Sequence, residues 1–249
     1  MEKPLHPGGQ AVIEGVMMRL PWGYSVAVRG PDGSVRVLRR PYRTWIDRLP
    51  PLKLPILRGA TVLIESMVIG IKALIYSAEA SEEEDESQAG EEGGSKALGT
   101  FGITVSLVLA FSLGLLLFFY LPLWLTDLTG IKDGLWFNLV DGLLRLTIVI
   151  GYMWVISLWG EFQRILEYHG AEHKSIGAFE AGQELTVQSA RAFGSVHPRC
   201  GTSFLLAVVV VSLLVFLTLG RPETLGDRLL RFAAIPLIAG LSYEAIKLA

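Results

Sequence analysis

The sequence predicts a mostly α-helical integral membrane protein. It should contain about four transmembrane helices, one amphipathic helix that lies in the membrane plane or re-enters it, and a small N-terminal β unit. Three observations predict this. Of the 249 residues, 51% are hydrophobic, and mean hydropathy is +0.46. Only 18% are charged, against roughly a quarter in ordinary globular domains. Charge-free stretches approach or exceed the roughly 20 residues that a helix needs to cross about 30 Å of hydrocarbon.

Residues 1–53 form the β unit. Ser25–Arg29 and Ser34–Leu38 alternate in part, and Gly30-Pro31-Asp32-Gly33 between them is a strong turn signal. Gln10–Arg19 reads as a third strand. This region carries nine Lys or Arg and four acidic residues. Arg39, Arg40, Arg43 and Arg48 are interleaved with Tyr42 and Trp45, a pattern suited to anionic lipid headgroups. Met1–Gly15 lacks the apolar core of a secretory signal, so insertion is expected to rely on internal segments.

Residues 54–76 are apolar but carry Arg58, Glu65 and Lys72 at steps of seven, which places the three on one helical face. An amphipathic in-plane or re-entrant helix follows from that pattern. Charge bias favours the same reading. With 54–76 not spanning, the Lys and Arg count is fifteen on one side and four on the other; with it spanning, thirteen and six. Both termini are then cytoplasmic in a multi-pass protein of the cell membrane. Residues 77–96 are acidic and rich in Ser and Gly, which predicts a disordered linker.

Two helical hairpins follow, 97–160 and 203–249. Ala97–Thr126 is charge-free after Ala97, with Pro122 expected to end or kink it. Leu143–Gly160 is shorter, and Arg145 near one end is expected to snorkel to the interface. Gly201–Gly220 is charge-free, while Phe232–Ala249 is weaker because Pro236, Glu244 and Lys247 fall within it. Small residues at Gly102, Ser106, Ala110 and Gly114 recur every fourth position, a face suited to close helix packing and a homo-oligomer. A net charge of −2 argues against nucleic acid as a partner. The single cysteine, Cys200, excludes an intrachain disulfide.

Residues 161–202 form a cytoplasmic loop that carries the chemistry. His169, His173, Ile176 and Glu180 fall at i, i+4, i+7 and i+11 of a helix and share a face. Two histidines at i and i+4 can converge on one metal ion. Glu172 completes His169-Gly170-Ala171-Glu172-His173, the H-x-x-E-H order of the inverted zinc peptidases, in which the Glu activates water. Downstream stands His197-Pro198-Arg199-Cys200-Gly201. A His and a Cys three apart can face one metal. His169, His173, His197 and Cys200 would make a closed structural tetrahedron. Three ligands would leave a position open for catalysis. The same residues also fit a hydrogen-bonded polar cluster at the membrane boundary. A third cluster spans Gly8–Arg19. Its paired glycines permit close backbone approach, and Glu14 among apolar residues needs a partner such as Arg19 or a metal.

These stretches, with Ser242-Tyr243-Glu244 near the C-terminus, resemble the bacterial YqhQ-like membrane family of unknown function over nearly the whole chain. The resemblance implies a metal-dependent enzyme without naming a reaction. It puts His169, Glu172, His173, His197 and Cys200 at the metal site. The expectation is therefore a membrane-embedded protein binding zinc or another divalent metal, with hydrolase-like chemistry at the cytoplasmic face. Glu172 acts as general base, and Arg199, Glu14 and Arg19 orient substrate. The rival expectation is a non-enzymatic oligomeric channel, transporter or scaffold in which the His/Cys/Arg cluster is structural.

Overall fold

The computed structural model describes residues 7–82, 95–197 and 201–248. The chain divides into two compact units. One comprises Met1–Ser87, Ile156–Phe204 and Ala239–Ala249; the other comprises Gln88–Val155 and Leu205–Ile238.

The first unit is built on a four-stranded antiparallel meander: β1 (Gly8–Val12), β2 (Gly15–Leu20), β3 (Gly23–Arg29) and β4 (Val35–Pro41). The expected single strand over Gln10–Arg19 is instead a hairpin. Ile13 and Glu14 form its turn, with Val12 opposite Gly15. Glu14 adopts a left-handed backbone, φ 49°. A Cβ on Gly15 would lie 2.1 Å from the Ala27 carbonyl oxygen, so only glycine fits there. The turn at Gly30–Gly33 matches its sequence signal: Gly33 has φ 78°, and its N–H donates to the Gly30 carbonyl at 2.9 Å.

The two faces of this sheet follow from the period of two. Gln10, Met17, Val26 and Leu38 are register partners on one face. That face packs on α2 (Leu57–Glu82) through Val12, Met17, Val26, Val28, Ile69 and Ala73. Thr61, Glu65, Ile69, Ala73, Ser77 and Ala80 form the buried stripe of α2, at the helical spacing that an amphipathic segment requires. The helix continues to Glu82, past the expected Tyr76, because Ser77 and Ala80 still find the sheet. Ser77 Oγ accepts from the Ile13 N–H at 3.2 Å. Of the remainder of the expected acidic linker, 83–94 lies outside the described residues, and Ser95 and Lys96 are helical rather than linker.

Glu65 is 1% exposed. It accepts from Arg19 Nη2 at 3.2 Å, from Thr44 Oγ1 at 2.8 Å and from the Trp45 N–H at the start of the one-turn α1 (Trp45–Arg48). The charge that marked α2 as amphipathic thus anchors it to the sheet. At the other end of α2, Arg58 forks onto Glu244 of α10 (Ile235–Leu248). Gly59 and Gly240 let the two backbones touch there: a Cβ on Gly240 would be 2.4 Å from the Ile56 carbonyl oxygen.

The second unit holds α3 (Ser95–Leu115), a π turn over Leu116–Tyr120 and α4 (Leu121–Leu128), which run on as one helix. Pro122 does not end it. Pro122 lies two residues past the π turn, whose wider hydrogen-bond spacing accommodates the N–H that proline lacks. α5 (Gly134–Ser157) starts earlier than the expected Leu143, and α8 (Gly201–Leu219) and α9 (Leu225–Ala233) follow. Phe119, Phe216 and Ile238 form the core of this unit.

Arg145 does not snorkel. It is 6% exposed, bonded to Asp141 at 3.1 Å and stacked on Phe119 and Phe216. Arg231 lies beside it, donating to Asn138 Oδ1 at 2.7 Å and to the Gly220 carbonyl at 2.6 Å.

Among the described residues, four helical stretches are long and apolar enough to cross a membrane: Leu57–Ser81, Val105–Leu128, Gly134–Ser157 and Leu225–Lys247. Ser203–Leu219 is a shorter apolar helix. The chain therefore has the make-up of a multi-pass membrane protein. The four are not the four expected: Leu57–Ser81, read from the sequence as in-plane or re-entrant, is among them, and Ser203–Leu219, read as spanning, is the shorter one.

Candidate metal centre

The centre is assembled on α6 (Gly160–Glu180), a single helix as the i, i+4, i+7 spacing predicts. It ends where Gly182 adopts φ 66°, with the Gln183 N–H returning to the Ala178 carbonyl at 3.0 Å. This Schellman closure needs a left-handed residue, which glycine supplies. The chain then runs through α7 (Val187–Arg191), capped by Thr186 and Ser189, and returns along α6. Gly170 and Gly177 make that return close. A Cβ on Gly177 would be 3.0 Å from Phe193, and one on Gly170 3.4 Å from Ser195.

The close return positions His173. Its Nδ1 lies 2.6 Å from the Ser195 carbonyl oxygen, which can only accept, so Nδ1 carries the proton and donates. The Nε2 lone pair is left available. A backbone carbonyl that fixes the tautomer and ring of a histidine is the usual outer support of a metal ligand. The His169 ring meets that of His173 edge-on, with centroids 4.5 Å apart. His169 Nδ1 is 4.0 Å from Glu172 Oε2. Each of His169, Glu172 and His173 offers one ligand atom within 4.8 Å of the others.

Glu172 is 4% exposed, and its Oε2 has no hydrogen-bond partner. Burial alone pushes its pKa up to about 7, because a carboxylate loses hydration there and no charge compensates it. Burial, and then His173, hold the His169 pKa below its usual value. An uncompensated carboxylate beside two imidazoles is a donor set that a divalent cation fits. Gly9 explains how the carboxylate enters: a Cβ there would lie 2.3 Å from Glu172 Oε1. Of the paired glycines near the N-terminus, Gly9 thus serves the close approach of another segment, the α6 carboxylate, while a Cβ on Gly8 would meet nothing within 4 Å. Gly9 pairs with Met18 and Met18 with Ser25, which places the three on the face opposite α2. The sheet is therefore sandwiched between α2 and α6.

The other sequence candidates lie as follows. His197 Nε2 is 3.2 Å from Glu180 Oε2, and its ring centroid is 5.9 Å from that of His173. Arg199 and Cys200 lie outside the described residues. Glu14 accepts from Arg164 Nε at 2.7 Å, Arg164 Nη2 at 2.8 Å and Tyr168 Oη at 3.0 Å. The hydrogen bond from Arg164 holds its carboxyl below the usual range, while burial and the same carboxylate raise the Tyr168 phenol. Glu14 therefore clamps the β1–β2 turn to α6 one turn before the cluster. Arg19 is bound to Glu65 and to Ser66 Oγ, on the α2 side of the sheet. Sequence reasoning missed Arg164, Ser195 and the spacing glycines Gly170 and Gly177. Arg164 stands four residues before Tyr168, the one signal that could have marked it.

No solved structure matches the chain. The chain is 34% identical over 250 residues to the uncharacterized protein YqhQ of Bacillus subtilis (strain 168), covering 97% of this chain and 78% of that protein. The family model described as protein of unknown function (DUF1385) matches residues 54–249, the part that contains α6 and, among the described residues, the four membrane-length helices. On both grounds the chain belongs to the DUF1385 family.

Proposed function

We propose that this protein is a metal-dependent enzyme of hydrolase type, working at the cytoplasmic surface of the cell membrane. One observation carries the reading: the buried, unpartnered Oε2 of Glu172 beside two histidines, one of them oriented by a backbone carbonyl. Leaving such a carboxylate unpaired costs stability, so a chain that keeps it has a use for it. His169 and His173 would hold zinc or another divalent cation, with a further ligand from His197 or Cys200. The cation supplies Lewis-acid stabilisation of developing negative charge.

The chain's own groups do the rest. Ser195 holds His173 in the tautomer that presents Nε2. Glu172 takes a proton near neutrality, where a general base is most effective. Gly9 and the sheet shield the carboxylate from bulk water. Charge bias puts both termini and α6 on the cytoplasmic side.

The test is metal content of the detergent-purified chain by plasma mass spectrometry. About one divalent metal per chain is expected, lost in His173→Ala. Glu172→Gln separates base from ligand: a base leaves the metal in place while turnover falls by about two to four orders of magnitude. Wild-type protein prepared without chelators and free of stoichiometric metal would remove the reading.

A second reading is favoured by the contacts from His173 to Ser195 and from His197 to Glu180. Both tie the returning segment to α6, as a purely structural clamp would. In that case His173→Ala unfolds the segment without any change in metal content.

A further inference from the structure

Beside the cluster is a cleft of about 1010 Å3 between the sheet, α6 and α7. Its walls are apolar, with Met18, Leu20, Leu166, Phe179, Leu185 and Val187 among them. Leu185 is 63% exposed and Val187 72%, so the apolar surface continues over the rim. Three charged residues line it: Glu167, Lys174 and Arg191. Glu167 is offset by Arg164 at 4.0 Å. Among the described residues neither Lys174 nor Arg191 has a carboxylate within 4.0 Å, so the cleft presents two uncompensated cations above an apolar floor. Its volume reaches the top of the range for organic ligands, about 300–1,000 Å3, far more than an inorganic anion fills. The cleft shares Gly170, Ala171 and Ser195 with the metal centre. The first two lie between His169 and Glu172 in the chain, and the third holds His173.

From this we infer that the cleft binds a lipid with an anionic phosphate headgroup, its acyl chain on the apolar wall and its phosphate on Lys174 and Arg191. A chain with several membrane-length helices meets such lipids at high local concentration. Two cations suit a phosphate, which accepts several charge-assisted hydrogen bonds. This names the substrate class of the enzyme proposed above and rests on that reading for its chemistry, but not for the binding itself.

The experiment is photo-crosslinking of the full detergent-purified chain with a lysophospholipid that carries a diazirine in its acyl chain, followed by peptide mass spectrometry. The phosphoglycerol-headed probe should attach within 166–191. Lys174→Glu with Arg191→Glu should lower that labelling about tenfold, the equivalent of roughly 1.4 kcal/mol. Ala190→Trp, which fills the cleft, should lower it while metal content stays at the wild-type level, showing that the fold around α6 survives. Labelling in His173→Ala should persist.

Three outcomes overturn the inference: labelling confined to α3, α5 and α8; equal labelling by a phosphate-free monoacylglycerol probe of the same chain; or displacement by inorganic phosphate alone, which would mark a free-anion site. A peptide occupant would appear as the first of these, with the cleft unlabelled. Lipid labelling without metal would leave the cleft standing and remove the enzyme. Metal without lipid labelling would do the reverse.

Discussion

At Gly9 one missing methyl group decides whether a carboxylate can reach its place. A Cβ there would occupy the position of the Glu172 side chain. Gly9→Ala is expected to destabilise the protein by about 1–3 kcal/mol through overpacking and to weaken metal retention; thermal unfolding in detergent and metal content check both. Glu14 gives a pH signature. Its folded pKa lies below the ordinary 4.5 because of Arg164, so its contribution is present above about pH 4.5 and is lost as pH falls through the lower folded value. Wild type should therefore lose stability on acidification, relative to Glu14→Gln, which lacks this component. Equal acid sensitivity of the two proteins would show that the clamp adds nothing.

Among the elements, α2 is the one whose length and whose packing point to different places in the membrane. It is long and apolar enough to cross a bilayer, yet from Glu65 to Ala80 one side of it carries a β-sheet with exposed arginines at positions 29, 39 and 40. A sheet of that kind belongs in water or among headgroups rather than in hydrocarbon. The opposite side exposes Ile64, Met67, Val68 and Leu74. An in-plane helix with its apolar side turned to lipid satisfies both sides. Bimane labels at Met67→Cys and Leu74→Cys should be quenched equally by headgroup-spin-labelled lipid. A spanning helix would separate the two by about 10 Å in depth. Helix α6 behaves as its spacing predicted, and the glycines along it are what admit the returning segment.

On the scale of the whole molecule, each unit keeps buried ionisable groups for a different purpose. In the first they hold α2, the sheet and α6 together and form the His169/Glu172/His173 cluster, whose donor atoms lie close enough to hold a metal. In the second, Asp141, Arg145 and Arg231 are almost fully buried among apolar helices; Asp141 Oδ1, Arg145 Nε and Arg231 Nη1 make no hydrogen bond, and Arg231 Nη1 lies 4.0 Å from Asp141 Oδ2. Removing one member of such a set leaves uncompensated charge. Asp141→Leu should cost about 3–5 kcal/mol, whereas Asp141→Leu combined with Arg145→Leu should cost less, as measured by denaturation in mixed micelles. A double variant no better than the single would show that Arg145 is balanced by other means.

Much of this was legible in the sequence, because the properties concerned are local. Apolar length marks helices that can span, Gly30-Pro31-Asp32-Gly33 marks a turn, and a spacing of four puts His169 and His173 on one face whatever surrounds them. The family resemblance rested on the same short stretches. What only the tertiary structure decided is which distant groups meet. The hairpin within Gln10–Arg19 depends on Gly15 lying against Ala27. The burial of Arg145 depends on Asp141 and two aromatic rings. The assignment of Arg19 to Glu65 and of Glu14 to Arg164 depends on which face of the sheet each side chain leaves, and a shift of one residue reverses that face. The partnerless carboxylate of Glu172 is likewise a tertiary fact: charge is written in the sequence, but the withdrawal of water and counter-charge from it is a property of the packed chain.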